Sequence, residues 1–142
     1  MEELGISMTA IIVAAVVNFI IGFLWYTVIF GKAWAKEMNF DMSVKPPVST
    51  MIKGMLLNVI GCFLMAYVLA HNNAAWSFVP GMDQMSVGAK ISNSAIFTWL
   101  GFYIPSDLNS IAWEQKSWKL FFINTLYHLV MLFATAAILY LI

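Results

Sequence analysis

The sequence has very little charge, and this scarcity limits the kinds of protein it can encode. Charged residues make up 10% of the 142 residues, and there is no arginine; soluble domains carry about 25%. The net charge is zero, so the chain lacks the basic face by which proteins bind nucleic acid. The apolar fraction is 62%, against about 45–50% in soluble domains. Together these features exclude a nucleic-acid-binding domain and indicate a fold that is dissolved in lipid.

Residue patterns that form disulfides, metal sites or catalytic sites are also scarce. The single cysteine, Cys62, excludes a disulfide framework within one chain and a CxxC motif. There is no HExxH motif, paired carboxylate or glycine-rich phosphate loop. His71 and His128 are expected at different depths of the membrane, too far apart to share a metal or haem. We therefore predict no metal and no cofactor, and we favour a protein that is not an enzyme.

Four long apolar segments with at most one lysine each are present instead, at residues 6–30, 50–70, 86–104 and 119–142. A helix of roughly 20 residues crosses a bilayer, so we predict an all-α integral membrane four-helix bundle, with residues 1–142 forming one transmembrane domain. The third segment is the weakest, because only 16 residues separate Lys90 from Asp107. Pro105 is expected to end this helix. Asp107 should then lie in water, which leaves no carboxylate within a span.

The distribution of lysine predicts the orientation. Six of the seven lysines fall in or beside the first and third loops: Lys32, Lys36, Lys45, Lys53, Lys116 and Lys119. Positive loops stay in the cytoplasm, so both termini are expected on the extracytoplasmic side. Lys90 is the exception. Glu2 and Glu3 precede the first segment where a signal peptide would be basic, so we interpret this segment as a retained span.

Polar side chains within the spans are the candidates for a site. Each span carries an asparagine, and the last span also carries a histidine: Asn18, Asn58, Asn93, Asn124 and His128. One interpretation is that these groups hold helices together. The other is a polar cavity in which His128 is the titratable member. The spacings Asn18–Trp25 and Asn93–Trp99 also hint at an internal repeat, which predicts pseudo-symmetric halves with inward asparagines; coincidence is the alternative.

Two motifs resemble a known family. The residues Trp25, Tyr26, Phe30, Gly31, Lys32 and Trp34 resemble the "WY…FGK.W" signature of an uncharacterised bacterial membrane family, domain of unknown function 1761. Tyr127-His128 resembles the "YH" of its last span. The resemblance implies four spans and a bacterial inner-membrane location, and it implies no substrate. Taken by themselves, the first motif's aromatic residues and lysine are also typical of a helix end at the membrane interface.

Three functions remain open from the sequence. Our first hypothesis is a non-enzymatic scaffold or accessory subunit in the lipid bilayer. It would bind a second copy or another membrane protein through the small-residue face Ala14–Asn18–Gly22. The second is a binder or carrier of a small molecule with a polar cavity around His128. The third is a membrane enzyme or redox protein built around His128.

Overall fold

The computed structural model describes residues 5–142, so Glu2, Glu3 and the N-terminus itself lie outside the described residues. Two π-helical segments, Leu24–Ile29 and Trp99–Tyr103, continue the first and fourth α-helices. No strand occurs in residues 5–142, which confirms the all-α prediction. The α-helices are α1 (Met8–Phe23), α2 (Gly31–Glu37), α3 (Val48–Trp76), α4 (Val87–Thr98), α5 (Ile104–Ala112) and α6 (Trp118–Leu141).

Three helices among the described residues are long and apolar enough to cross a membrane: Met8–Ile29, Val48–Trp76 and Trp118–Leu141. They match the first, second and fourth predicted spans and support the prediction of a membrane protein. The predicted span at residues 86–104 is different, because α4 has only 12 residues before the π segment widens the helix.

The prediction that Pro105 ends this helix is wrong. Pro105 lies in the first turn of α5, which continues to Ala112. Proline is accepted at a helix start because the N–H group it lacks has no intrahelical partner there. Asp107 therefore lies on a helix and not in a loop.

The helices pack in the order α3–α1–α6–α4, with α1 and α6 at the centre. Ile11 and Ala14 of α1 pack against Ala66 and Ala70 of α3. On the other side of the fold, Ala95 of α4 is buried in a second cluster with residues of α6. The outer helices α3 and α4 meet through a hydrogen bond, in which Ser94 Oγ donates to Asn73 Oδ1 at 2.7 Å.

The two halves of the chain are not equivalent. Asn18 of α1 is fully buried, whereas Asn93 of α4 is exposed. The expected pseudo-symmetric arrangement with all asparagine faces inward is therefore wrong. The helix α3 is also uneven along its length, because residues 48–61 are all exposed and burial begins at Cys62.

Serine side chains begin three of the helices. Ser7, Ser86 and Ser117 each accept a hydrogen bond from a backbone N–H in the first turn of α1, α4 and α6. Ser117 also donates to Glu37 at the end of α2. The carboxylate of Glu37 lies 3.8 Å from Lys119 Nζ. These contacts fix the short helix α2 beside the start of α6.

Candidate functional site

Two motifs about one hundred residues apart lie against each other. Trp25 Nε1 donates to the Ile123 carbonyl at 3.0 Å, and Tyr26 Oη donates to Asn124 Oδ1 at 3.0 Å. The ring of Tyr26 also meets Tyr127 edge-on, with centroids 5.0 Å apart. Trp25 and Tyr26 are consecutive, and both reach α6 from the π segment, whose i→i+5 hydrogen bonds widen the turn. We call Trp25, Tyr26, Asn124 and Tyr127 the aromatic cluster.

The rest of the first motif supports this cluster. Gly31 is buried, and a Cβ atom there would lie 3.1 Å from the Tyr26 carbonyl oxygen, so the close approach favours glycine. Trp34 packs edge-on against Tyr26, with ring centroids 6.0 Å apart. Lys32 is exposed on α2. The motif is therefore more than a helix end, because Tyr26 connects it to the last helix.

Next to the cluster, His128 pairs with Asp107. His128 Nδ1 lies 2.8 Å from Asp107 Oδ2, and the two side chains are 22% and 12% exposed. The ring of Tyr103 packs on the imidazole at a centroid distance of 4.5 Å. The expectation that Asp107 lies in water is wrong, because α5 carries it against α6. The carboxylate fixes the imidazole through Nδ1, so Nε2 is the nitrogen that can meet a further partner.

A cleft of about 800 Å³ separates α3 from α4 and α5 beside this pair. Its walls are mainly apolar, and its volume is within the range of about 300–1,000 Å³ that is typical of small-molecule sites. Tyr103 belongs both to the cleft and to the His128 contact. The side chains that line it include Leu64, Met65, Val68, Leu69, His71, Asn72, Thr98, Phe102, Ser106 and Leu132. We call this space the α3–α4 cleft.

The aromatic cluster and the His128–Asp107 pair lie within the part of the chain that a known family covers. The sequence model of that family matches residues 9–140. The chain belongs to the family described as protein of unknown function (DUF1761). No curated protein and no solved structure matches it. The predicted resemblance to DUF1761 is thus confirmed, and it brings no activity with it.

The predicted site residues of this DUF1761 chain do not gather around one void. Asn18 is fully buried between α1 and α6, where Nδ2 donates to Thr135 Oγ1 at 2.7 Å. Asn58 lies on the exposed part of α3, and its Oδ1 accepts from Cys62 Sγ at 3.4 Å. Both residues are remote from the α3–α4 cleft, whose lining includes neither.

The other three predicted residues are also divided. Asn93 is exposed, with Nδ2 3.9 Å from Met85 Sδ, and it lines a second, smaller pocket. Asn124 binds Tyr26, and His128 binds Asp107. Only Asn124 and His128 are neighbours, one turn apart on α6, as their spacing of four residues predicts.

Sequence reasoning missed Tyr103 and Asp107. The signal was present, since these residues are four apart and share a face if the helix continues through Pro105. Treating Pro105 as a helix end removed that possibility. Among residues 5–142, no group of three or more histidine, cysteine or acidic side chains could hold a metal ion.

Proposed function

We propose that this DUF1761 protein binds an apolar or amphiphilic small molecule within the membrane, with the apolar part of the ligand in the α3–α4 cleft. The observation that carries the proposal is the cleft of about 800 Å³ with mainly apolar walls. Leu64, Val68 and Phe102 line it and are themselves exposed, so the space can be entered from the surrounding lipid. A ligand of this kind reaches its site by moving within the bilayer.

The His128–Asp107 pair gives one end of the cleft a fixed shape. Asp107 orients the imidazole, and the imidazole packs on Tyr103, which lines the cleft. Tyr103 is the last residue of the π segment Trp99–Tyr103, and such segments occur frequently at functional sites. The pair does not itself line the cleft and acts on binding through Tyr103.

Catalysis is less well supported by the same geometry. A histidine–carboxylate pair activates a nucleophile in many enzymes, and the nucleophile lies within hydrogen-bond reach of the imidazole. Among the described residues, the partner of His128 is the Asp107 carboxylate, and no hydroxyl or thiol hydrogen-bonds to its ring. Binding is therefore the function that these contacts favour over an enzyme or redox protein.

A scaffold role does not gain support from the small-residue face on α1. Ala14, Asn18 and Gly22 are buried inside the chain, and Gly22 faces Tyr127 of α6. The face expected to bind a second copy is used for internal packing instead. Self-association through another surface stays a proposal, as do the bacterial inner membrane and the cytoplasmic position of the lysine-rich loops.

The test is photolabelling of the purified protein with a neutral long-chain alcohol that carries a diazirine in its chain. We expect labels to concentrate on the cleft, at Leu64, Val68 and Phe102. Val68→Trp fills the cleft and should reduce labelling at Leu64 and Phe102 by half or more. Ile20→Trp is the matched control, since Ile20 is similarly exposed on α1 and lies outside the cleft. Equal labelling of all lipid-facing positions would overturn the proposal.

A further inference from the structure

A second pocket, of about 230 Å³, adjoins the cleft where α3 ends and α4 begins. Its walls are mainly apolar, but several polar side chains also line it. Asn73, Lys90, Ser94 and Tyr140 contribute an amide, an ammonium and two hydroxyl groups. Lys90 is the one positively charged side chain among the lining residues, and no aspartate or glutamate accompanies it. The electrostatic character of this pocket is therefore suited to a negative group.

A buried donor in this pocket strengthens that conclusion. Asn73 is 9% exposed, and its Oδ1 accepts from Ser94 Oγ at 2.7 Å. Its Nδ2 is buried and has no hydrogen-bond partner among the described residues. Buried polar groups nearly always find a partner, so the unpaired amide of this lining residue leaves a donor for an acceptor that binds in the pocket. An amide donor and an ammonium together favour an anionic oxygen.

We propose that this pocket holds the carboxylate or phosphate group of an amphiphile whose chain lies in the α3–α4 cleft. The inference rests on the proposed function and specifies its ligand as an anionic amphiphile. Asn72 and Thr98 line both spaces, so the pocket lies directly beside the cleft. The pocket is smaller than the roughly 300 Å³ at which small-molecule sites begin, and this size fits a head group better than a whole ligand.

The assignment also gives a role to Lys90. This lysine is the one that departs from the lysine distribution of the sequence, and it lies within an otherwise uncharged helix. A lysine in such a place is costly unless it meets a partner of opposite charge or reaches the interface. A bound carboxylate or phosphate supplies that partner. Lys90 therefore determines which head group the protein accepts.

The experiment compares two diazirine probes of equal chain length, the neutral alcohol and the corresponding fatty acid, on the full chain in a neutral detergent. We expect the acid to label the cleft roughly tenfold more efficiently, because a hydrogen bond to a charged group contributes at least about that factor. Lys90→Met should abolish this preference, and Lys90→Arg should retain most of it. Lys53→Met is the matched control, since Lys53 is exposed on α3 and lines neither the pocket nor the cleft.

The outcomes separate the two proposals. Equal labelling of the cleft by acid and alcohol would overturn the anion pocket and leave the proposed function standing. Labelling of the cleft by neither probe would overturn the proposed function itself. If both Lys90→Met and Asn73→Leu keep the preference for the acid probe, the pocket assignment is wrong.

One further arm identifies the source of the anion. Inorganic phosphate is added in millimolar amounts to the wild-type protein with the fatty-acid probe. Competition would support the pocket as a site that also accepts free anions. Retention of the acid preference without competition would support a site that takes the anion only when it is attached to a chain, as in a membrane lipid.

Discussion

Two helix pairs in this protein have very different contacts, and the more apolar pair is the more tightly packed one. The pair α1–α6 is closed by small residues and by polar contacts such as Asn18–Thr135. Between α3 and α4 the large side chains Val68 and Phe102 line an open cleft. In lipid, the hydrophobic effect does not drive helices together, so close approach and hydrogen bonds decide which pairs close. Between α3 and α4 the Ser94–Asn73 hydrogen bond joins the helices at one end, and the cleft lies where close packing is lacking.

The largest expected effect comes from adding bulk to the closed pair. A Cβ atom at Gly22 would lie 2.9 Å from Tyr127 Oη, and Tyr127 is itself buried. Gly22→Leu should therefore separate α1 from α6 and lower the free energy of unfolding in mixed micelles by about 3 kcal/mol, the upper part of the range for overpacking. Gly61→Leu is the control, because a Cβ atom there meets nothing within 4 Å. Equal losses in both variants would contradict the account of the closed pair.

A smaller effect is expected from the buried polar contact. Thr135→Val leaves the Asn18 amide buried without a partner and should cost about 2 kcal/mol. Asn18→Leu should cost less, because Asn18 Oδ1 already lacks a partner within residues 5–142 and Thr135 Oγ1 keeps its bond to the Met131 carbonyl. A double-mutant cycle measured by unfolding checks this asymmetry. A larger loss of unfolding free energy in Asn18→Leu than in Thr135→Val would contradict this explanation.

The sequence predicts the closed pair well and the cleft poorly, for physical reasons. Long uncharged runs mark the helices of α1, α3 and α6, and the four-residue spacing of Ala14, Asn18 and Gly22 marks a face for close packing. The sequence does not tell whether that face meets another helix of the same chain or a second copy. The structure shows that it meets two helices of the same chain, α3 at Ala14 and α6 at Asn18 and Gly22.

The site depends on features that a single sequence encodes only weakly. Trp25 and Tyr26 both reach α6 because Leu24–Ile29 is a π segment, and ordinary helical periodicity does not anticipate this. Asp107 meets His128 because the helix continues past Pro105. The α3–α4 cleft depends on how far two helices stand apart, and side-chain sizes in one chain do not determine that distance.

The smallest expected effect comes from the His128–Asp107 pair, which joins α6 to α5. Asp107→Ala removes the acceptor for His128 Nδ1 and should cost about 1 kcal/mol of unfolding free energy. Asp107→Asn should lose less, because its side-chain carbonyl can still accept from the imidazole. We expect Asp107→Ala also to loosen Tyr103 and to reduce labelling of the α3–α4 cleft by the neutral probe. Unchanged labelling together with lost stability would limit the pair to a structural role.

The wide turn at Leu24–Ile29 has a consequence for the length of the chain. Deletion of one residue there would restore ordinary α-helical pairing and rotate everything that follows by about 100°. Trp34 would then swing away from Tyr26, although every side chain of the aromatic cluster would still be present. Shortening by a single amino acid is thus expected to be tolerated at residues 77–86, between helices, and to be harmful at this turn. The number of residues between the tryptophan and the glycine of the first motif therefore sets the rotation of the following helix, and it matters as much as their chemistry.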